Sequence, residues 1–223
     1  MGQCALCRSW DAQSLCARCV ARFAPEVARC ARCGLRTAAP VSACGACIAD
    51  APNFDSCSVA CDYVFPWDRL IADFKFNAQV ALAHTLAQRM ACAIQRGGGA
   101  LPERVIPIPL APGRLAERGY NQAWELARRV AHRLGCRSEA QWLLRPADGA
   151  HQAQLTLAQR RRNLRGAFMV NPSRRVSLQG RHVALVDDVM TSGSTLREAT
   201  TVLRNAGATR VDVWVLARTP APA

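Results

Sequence analysis

Two adjacent acids followed by a run of small hydroxyl residues form the most distinctive stretch of the chain. The stretch VALVDDVMTSGSTL covers residues 183–196 and places Asp187 and Asp188 directly after four apolar residues. Carboxylates accept hydrogen bonds from vicinal hydroxyls, directly or through a divalent cation, whereas a helix start with hydroxyl donors binds phosphate. A ligand with a diol at one end and a phosphate at the other would satisfy both halves. The alternative is a plain strand, turn and Ser/Thr-capped helix, but the acids and the hydroxyl run together exceed what a cap needs.

Eight cysteines near the start of the chain are spaced as four C-x2-C pairs. They are Cys4 and Cys7, Cys16 and Cys19, Cys30 and Cys33, and Cys44 and Cys47. Two such turns complete a tetrahedral Zn²⁺ site, so the spacing predicts two structural zinc ions. The metal would supply the folding free energy of a segment with few apolar residues. Sequential pairing of the four turns is favoured, with interleaved pairing as the alternative; disulfides and redox pairs are disfavoured in a reducing compartment.

The other cysteines and the histidines show no such spacing. Cys57, Cys61, Cys92 and Cys136 are expected to behave as small buried hydrophobes, with Cys57 and Cys61 as rival ligands to the last pair. The histidines are scattered at His84, His132, His151 and His182, and we assign none of them a catalytic role.

Length and composition allow one α/β domain and a smaller module. The chain has 223 residues, half of them hydrophobic, and its composition shifts near residue 50. We therefore expect a double zinc-ribbon module at 1–50 and a larger domain at 51–223. The chain has no apolar run of membrane-spanning length and no signal-peptide pattern, so a cytoplasmic protein is expected.

Positive charge dominates the chain. The net charge is +13, and Lys75 is the single lysine. Such a balance indicates anionic partners such as phosphates or nucleic acid. The alternative is that the arginine excess reflects a GC-rich genome.

Beyond residue 50, strands alternate with helices, a pattern typical of a mainly parallel sheet covered on both faces. Strands are expected at 57–65 (as a pair or with a bend), 104–110, 182–188 and 210–217, and helices at 66–76, 79–95, 121–135 and 195–207, with a Pro/Gly loop at 111–119. Asn121 is a good N-cap and Gly135 a good stop for one of these helices. Because such sheets bind ligands at the carboxyl ends of their strands, Asp187 and Asp188 fall at the expected site.

Residues 183–196 resemble the signature of type I phosphoribosyltransferases. Three further segments, VIPIPLAPGRLAERGYNQAWELA, HQAQLTLAQRRRNLRGAF and IADFKFN, resemble the ComF family, bacterial proteins linked to DNA uptake that also carry an N-terminal cysteine-rich ribbon. The resemblance spans nearly the whole chain. It implies an α/β type I phosphoribosyltransferase fold that binds phosphoribosyl pyrophosphate with Mg²⁺.

The resemblance also implies roles for individual residues. Asp187 and Asp188 would hold the ribose, and Arg118 would join them in catalysis by stabilising the leaving pyrophosphate. The 5-phosphate loop would comprise Met190, Thr191, Ser192, Gly193, Ser194 and Thr195. Arg114 would be the second pyrophosphate cation, with Gly119 allowing a tight turn; solvated helix-entry charge is the alternative for both arginines.

Three further positions match the family. Lys75 would reach a phosphate or pair with Asp73, and Arg160 and Asn163 would close over the site from a hood. Gly149 stands where the family usually has Thr, which leaves the acceptor contacts open.

Two hypotheses for function follow. The first is a Mg²⁺-dependent phosphoribosyltransferase of unknown acceptor; no Cys follows Met1, so an amidotransferase half with an N-terminal cysteine nucleophile is not expected. The second is a single-stranded DNA-binding accessory factor, working with DNA-uptake or processing proteins, that keeps the fold without turnover. For DNA binding the ribbon offers Trp10 and Phe23 with six arginines. The oligomeric state is open, a homodimer being one option.

Overall fold

The computed structural model describes residues 2–77, 79–146 and 166–221. The helices are α1 (Ala17–Phe23), α2 (Gly45–Ala49), α3 (Trp67–Phe76), α4 (Leu82–Arg96), α5 (Pro112–Arg118), α6 (Gln122–Leu134) and α7 (Ser194–Asn205). The strands are β1 (Gly2–Gln3), β2 (Trp10–Asp11), β3 (Ser56–Asp62), β4 (Arg104–Pro107), β5 (Arg137–Ser138), β6 (Leu143–Leu144), β7 (Met169–Val170), β8 (His182–Met190) and β9 (Arg210–Arg218). Two short 3-10 turns, Pro172–Arg174 and Val176–Leu178, precede β8.

A five-stranded sheet in the order β3-β9-β8-β4-β5 forms the centre of the molecule. Every pairing in it is parallel, which confirms the expected fold class. Its central strands are apolar along most of their length because both faces of the sheet are covered. Pro107 on β4 lies opposite Val186 on β8, so the carboxyl ends of these two strands meet at one edge.

Helices cover the two faces of the sheet unequally. On one face, α3, α4 and α6 pack side chains such as Phe74, Leu86 and Leu126 into a core that includes alternate residues of β8 and β9. On the other face, α7 contributes Leu196 and Leu203 to a second core. The helix at 122–134 has the predicted ends: the Asn121 side chain accepts a hydrogen bond from the Trp124 N–H (3.2 Å), and Gly135 is left-handed.

Three local expectations were wrong. The 111–119 segment is the helix α5 rather than a loop, because Pro112 presets the first turn, strong helix formers follow, and Gly119 ends the helix at φ +76°. Of the two alternatives for 57–65, a strand pair or one bent strand, the structure has a single strand, but it ends at Asp62 and pairs with β9. The strand expected at 182–188 continues to Met190, because β9 offers backbone partners as far as Arg218.

The N-terminal ribbon shares the core of the sheet domain. Leu15, Cys16 and Ala24 are buried in the same cluster as Trp67 and Phe74 of α3. The Trp67 indole N–H donates to the Phe23 carbonyl at 2.5 Å. Apolar packing therefore helps to hold this segment against the sheet domain.

Within the part of the chain that the structure describes, no helix combines the length and apolar character needed to cross a membrane.

Candidate functional site

The eight paired cysteines form two separate clusters. Cys4, Cys7, Cys16 and Cys19 make one tetrad, Cys30, Cys33, Cys44 and Cys47 the other, and within each tetrad all sulfurs lie within 4.8 Å of one another. The Sγ–Sγ separations include 3.6 Å for Cys7–Cys16, 3.6 Å for Cys33–Cys44 and 3.9 Å for Cys30–Cys47. A Zn–S bond of ~2.3 Å in a tetrahedron gives a sulfur separation of ~3.8 Å. The two tetrads fit two structural zinc sites with the predicted sequential pairing.

Backbone donors prepare the sulfurs for metal. The Cys16 N–H donates to Cys4 Sγ (3.4 Å), and the Cys44 N–H donates to Cys30 Sγ (3.2 Å), so the two tetrads share one design. Burial raises the pKa of the Cys30 thiol, but backbone N–H groups of the Cys33 turn and of Cys44 outweigh burial and lower the pKa to about 7. Burial and neighbouring thiols raise the pKa of Cys47. Four thiolates at this distance therefore need a cation among them.

The four remaining cysteines lie outside both tetrads. Cys57 and Cys61 are buried, as predicted, whereas Cys92 and Cys136 are half-buried. The Cys61 thiol donates to the Leu216 carbonyl at 3.2 Å, a contact between neighbouring strands.

The hydroxyl run begins at the end of β8 and enters α7. Met190 is the last strand residue and Ser194 the first helical one, so half of the predicted loop belongs to regular structure. Gly193 is the N-cap at φ +77°, a conformation in which a side chain is strained. Ser192 Oγ lies 2.8 Å from Ser194 Oγ, which places both hydroxyls at the helix start. Helix N–H groups and hydroxyl donors therefore converge at this helix start, an arrangement with the chemistry to bind a phosphate group.

The two acids at the end of β8 have different surroundings. Asp188 is 8% exposed, and its Oδ1 lies 3.0 Å from Lys75 Nζ. Lys75 therefore pairs with Asp188, and the predicted alternative pairing with Asp73 was wrong, because Asp73 accepts a hydrogen bond from Asn77 instead (2.8 Å). The Asp187 carboxylate accepts a hydrogen bond from the Asp188 N–H (2.9 Å). Burial and the adjacent Asp188 charge raise the pKa of Asp187 to about 8.

Hydrogen bonds connect this acid pair to α5. The Gln122 side chain is buried, donates to the Lys75 carbonyl (3.3 Å) and accepts from Arg118 (3.1 Å). The Arg118 guanidinium lies 4.9 Å from the centre of the Phe76 ring. Tyr120 donates its hydroxyl to the Phe74 carbonyl. The end of α3 thus lies between Asp188 and Arg118 and holds them in one network.

Some of the predicted site residues contact one another, whereas others do not or lie outside the described residues. At the edge where β4 and β8 end, Lys75 pairs with Asp188 beside Asp187, and Gln122 links the Lys75 backbone to Arg118. Arg114 is half-buried on α5, and Gly119 ends that helix. Arg160 and Asn163 lie outside the described residues.

Sequence reasoning missed three residues of this region. Gln122 bridges Lys75 to Arg118, and Phe76 lies beneath Arg118. Arg218, at the end of β9, donates to the carbonyls of Met190 (3.0 Å) and Thr191. Gln122 and Phe76 lie in segments that resemble the ComF family, which was the signal available in the sequence; the contacts of Arg218 join distant segments.

A largely apolar cleft adjoins this network. It has a volume of about 580 Å³ and is lined by residues that include Leu115, Tyr120, Trp124 and Leu144. Gly119 and Tyr120 therefore lie between the Asp188–Arg118 network and the cleft.

The parallel sheet and the acid pair ahead of a hydroxyl-rich helix start define a protein of the phosphoribosyltransferase fold. The family description "Phosphoribosyl transferase domain" matches residues 121–223. The DNA utilization protein YhgH of Salmonella typhi is 36% identical over 228 residues, covering 98% of this chain and 97% of that protein. Competence protein F of Haemophilus influenzae is 36% identical over 176 residues, covering 77% of this chain and 76% of that protein. The chain belongs to the ComF family of phosphoribosyltransferase-fold proteins.

Solved structures give more distant likenesses. Glutamine phosphoribosylpyrophosphate amidotransferase from B. subtilis is 23% identical with a TM-score of 0.40, over 59% of this chain and 25% of that chain. TT1426 from Thermus thermophilus is 18% identical with a TM-score of 0.40, over 63% of this chain and 85% of that chain.

Proposed function

We propose that the protein binds phosphoribosyl pyrophosphate at the carboxyl ends of β4 and β8. Asp187 and Asp188 accept hydrogen bonds from the ribose hydroxyls, and residues 190–195 bind the 5-phosphate. Arg118 and Arg114 on α5 hold the pyrophosphate. Residues 1–50 form the zinc module in this proposal, and residues 51–223 form the phosphoribosyltransferase domain. Because eight reduced thiols suit a reducing compartment, we place the protein in the cytoplasm.

The observation that carries the proposal is one network with groups for both ends of such a ligand. Asp188 pairs with Lys75 at 3.0 Å, and Gln122 links the Lys75 backbone to Arg118. Neutralising Asp188 requires only Lys75, so the further link from Lys75 to the Arg118 guanidinium indicates a site for an anionic ligand. Lys75 is well placed to move from Asp188 to an incoming phosphate oxygen, because both are anionic oxygen acceptors.

The reaction class that suits this site is ribosyl transfer. The bond from ribose C1 to the pyrophosphate oxygen breaks, pyrophosphate leaves with the bonding electrons, and C1 bonds to the acceptor nucleophile. Arg118 and Arg114 would stabilise the charge that grows on the leaving pyrophosphate, and the acids would hold the ribose in the reactive orientation. Oxygen-rich Mg²⁺ chemistry suits the phosphates and the carboxylates at this edge. The acceptor would enter from the apolar cleft beside Tyr120.

Calorimetric titration of phosphoribosyl pyrophosphate, with and without Mg²⁺, tests the proposal. Wild type should bind in a Mg²⁺-dependent manner, and the double variant Asp187→Asn, Asp188→Asn should lose at least about tenfold in affinity, since each lost charge-assisted hydrogen bond costs on the order of 1.4 kcal/mol or more. Asp212→Asn is a matched control, because Asp212 is a buried acid near the other end of the neighbouring strand, paired with His182 at 2.7 Å.

Equal affinity in wild type and the double variant would refute the site assignment, provided that both proteins keep their near-UV circular dichroism. An absence of binding in wild type would refute the function itself.

A second candidate function is binding of single-stranded DNA, which an arginine–aromatic patch favours. Phe65 is 59% exposed and meets Phe23 edge to face, with ring centres 6.0 Å apart. Arg22 lies over the Phe23 ring and Arg69 over the Phe65 ring, each at 5.3 Å. A cleft of about 350 Å³ opens beside these rings and also takes in Arg18. Exposed rings flanked by cations are the groups on which unpaired bases stack, and the relatives named for DNA utilization and competence favour the same candidate.

Fluorescence anisotropy of a labelled oligothymidine against salt concentration tests this second candidate. Phe65→Ala should weaken binding by about tenfold, because a stacked base contributes on the order of 1–3 kcal/mol. The control is Phe76→Ala, which removes another exposed ring with an arginine above it, in the Arg118 network. Affinity that falls steeply with salt in all three proteins alike would indicate phosphate attraction by the net positive charge and no use of the patch.

A further inference from the structure

Arg218 connects the second cysteine tetrad to the hydroxyl run. It is the last residue of β9 and is 8% exposed. Its Nε donates to the Cys33 carbonyl at 3.2 Å. Its Nη1 donates to the carbonyls of Met190 (3.0 Å), Thr191 and Thr219 (2.9 Å). One side chain thus holds the backbone of a cysteine turn and the backbone where the hydroxyl run begins.

The charge of Arg218 has no carboxylate partner among the described residues. Asp62, opposite Arg218 in the β3–β9 register, pairs with Arg29 at 2.7 Å instead. A buried guanidinium that contacts only carbonyls is costly unless opposite charge lies nearby. A zinc ion held by four thiolates carries net negative charge, and the tetrad containing Cys33 is the group of that kind beside Arg218.

The helix after the hydroxyl run is held by the same part of the chain. Arg197, in the first turn of α7, donates to the carbonyls of Ala51 (2.8 Å) and Asp50 (2.9 Å). The Asn53 side chain donates to the Arg197 carbonyl at 2.9 Å. Residues 50–53 begin three positions after Cys47, the last cysteine of the second tetrad. Both sides of the segment 191–193 are therefore tied to the second ribbon.

The first tetrad has a different neighbourhood. Its ribbon packs against α3, where Trp67 donates to the Phe23 carbonyl at 2.5 Å. For residues 2–24, the hydrogen bonds within the described ranges include none to residues 190–195. The two tetrads, though alike in geometry, differ in what their loss would disturb.

We propose that Arg218 is a positioning residue through which the second tetrad, when it holds zinc, orders residues 190–195 for the phosphate of the ligand. The inference rests on the proposed function for the identity of that ligand. Zinc loss from the second tetrad would remove the opposing charge and release the Cys33 turn, and the carbonyls of Met190 and Thr191 would lose their fixed donor. Zinc loss from the first tetrad would leave the segment ordered.

The first test compares two arginine variants of the zinc-loaded full chain. Arg218→Met removes the link to residues 190–195. Arg29→Met is the matched control, because Arg29 binds the Gly34 carbonyl within the same ribbon and ties that ribbon to the sheet through Asp62, without contacting residues 190–195. In Arg218→Met we expect about tenfold weaker binding of phosphoribosyl pyrophosphate and faster amide hydrogen exchange at 191–195. Exchange at 183–186 should stay unchanged, which a general loss of stability would not allow.

The second test removes one tetrad at a time. Cys44 and Cys16 occupy equivalent positions, because the backbone N–H of each donates to the sulfur of the first cysteine of its tetrad. The variants Cys44→Ser and Cys16→Ser each remove one sulfur from one tetrad. Cys44→Ser should reproduce the exchange and affinity changes of Arg218→Met. A variant that combines Cys44→Ser with Arg218→Met should show no further change, because the two substitutions break the same link. Cys16→Ser should leave exchange at 191–195 as in wild type.

Equal effects of the two cysteine variants, or unchanged exchange at 191–195 in Arg218→Met, would overturn the inference. If Arg218→Met fails to fold, Arg218→Lys and chelation of the wild-type protein provide the same exchange measurement. A third outcome separates the two proposals. If exchange at 191–195 changes as expected in the variants but the wild-type protein does not bind phosphoribosyl pyrophosphate, the proposed function is refuted and the coupling stands.

Discussion

Neighbouring residues of one type differ in environment, and Asp187 and Asp188 show how far. Asp188 has a cation, Lys75, within 3.0 Å, whereas Asp187 has the backbone N–H of Asp188 and a second carboxylate beside it. Burial and that second carboxylate raise the pKa of Asp187 to about 8. Asp187 therefore holds its proton more tightly in the folded chain than in the unfolded one. A ligand or cation that binds its ionised form must displace this proton.

Asp187→Asn should stabilise the protein, and more so as the pH rises. Below pH 3.8, the pKa of this carboxyl in the unfolded chain, the carboxyl is protonated in both states and does not destabilise the fold. As the pH rises from 3.8 towards 8, the wild-type carboxyl destabilises the folded state increasingly. The difference in Tm between variant and wild type should therefore be smallest near pH 4, rise to several degrees near pH 8 and then level off. Scanning calorimetry across this range measures it, with Asp68→Asn at the start of α3 as the baseline. A gap that shrinks with rising pH would show that the acid is stabilised in its charged form.

At the scale of elements, the turn from β8 into α7 is where the site depends on backbone conformation. Gly193 has φ +77°, which lets the chain leave the strand and start the helix within three residues. The Ser192 and Ser194 hydroxyls lie on either side of it. The positions of the hydroxyl donors therefore depend on a backbone conformation that L-amino acids adopt only with strain.

Gly193→Ala should cost about 1 kcal/mol of folding free energy and also weaken phosphoribosyl pyrophosphate binding. The added Cβ would lie 3.4 Å from Met190 Sδ, an ordinary contact, so the strain is in the backbone. Gly98→Ala is the control, because Gly98 has φ +65° with open space around it, far from this turn. Urea unfolding should show similar losses in the two variants, and titration should show weaker binding only in Gly193→Ala. Normal binding by Gly193→Ala would mean that the turn tolerates the change and does not shape the phosphate site.

At the scale of the whole molecule, the two cysteine tetrads are parts of one folded unit with the sheet. The first ribbon contributes Leu15 and Ala24 to the core around α3, and the second is tied to β3, β9 and α7 by arginines. The division of the chain at residue 50 stays a prediction. Since the ribbons share contacts with the sheet domain, we expect the zinc-loaded ribbons and the sheet to unfold together on heating.

Metal analysis of the full chain should find two zinc ions per molecule. Cys16→Ser should bind one zinc ion and lower the Tm by roughly 10 °C, because loss of the metal also uncovers the core face that Trp67 shares with the ribbon. Cys136→Ser is the control, since Cys136 is half-buried outside both tetrads. Native mass spectrometry gives the zinc count and differential scanning fluorimetry the Tm. A single zinc in wild type would mean that one of the tetrads serves another purpose.

The sequence by itself determined the features that depend on neighbours along the chain. Cysteine spacing predicted both tetrads and their sequential pairing, alternating patterns predicted the parallel sheet, and Asn121 and Gly135 marked the ends of α6. The tetrads and the helix ends depend on residues close together in the chain, and the sheet was predicted from the alternation of strands and helices, each of which has its own local pattern. The same local patterns mistook α5 for a loop and ended β8 two residues early, because propensity is a weak guide to short elements and strand ends.

Only the tertiary structure decided which residues meet across long sequence separations. Lys75 pairs with Asp188 rather than with the adjacent Asp73 because α3 passes the end of β8. Arg218 reaches both Cys33 and the start of the hydroxyl run because β9 lies between β3 and β8. The choice of partner for a buried charge depends on what the fold brings within about 3 Å, where desolvation makes each contact decisive. That information lies in the packing of the sheet and its helices, and no spacing along the chain encodes it.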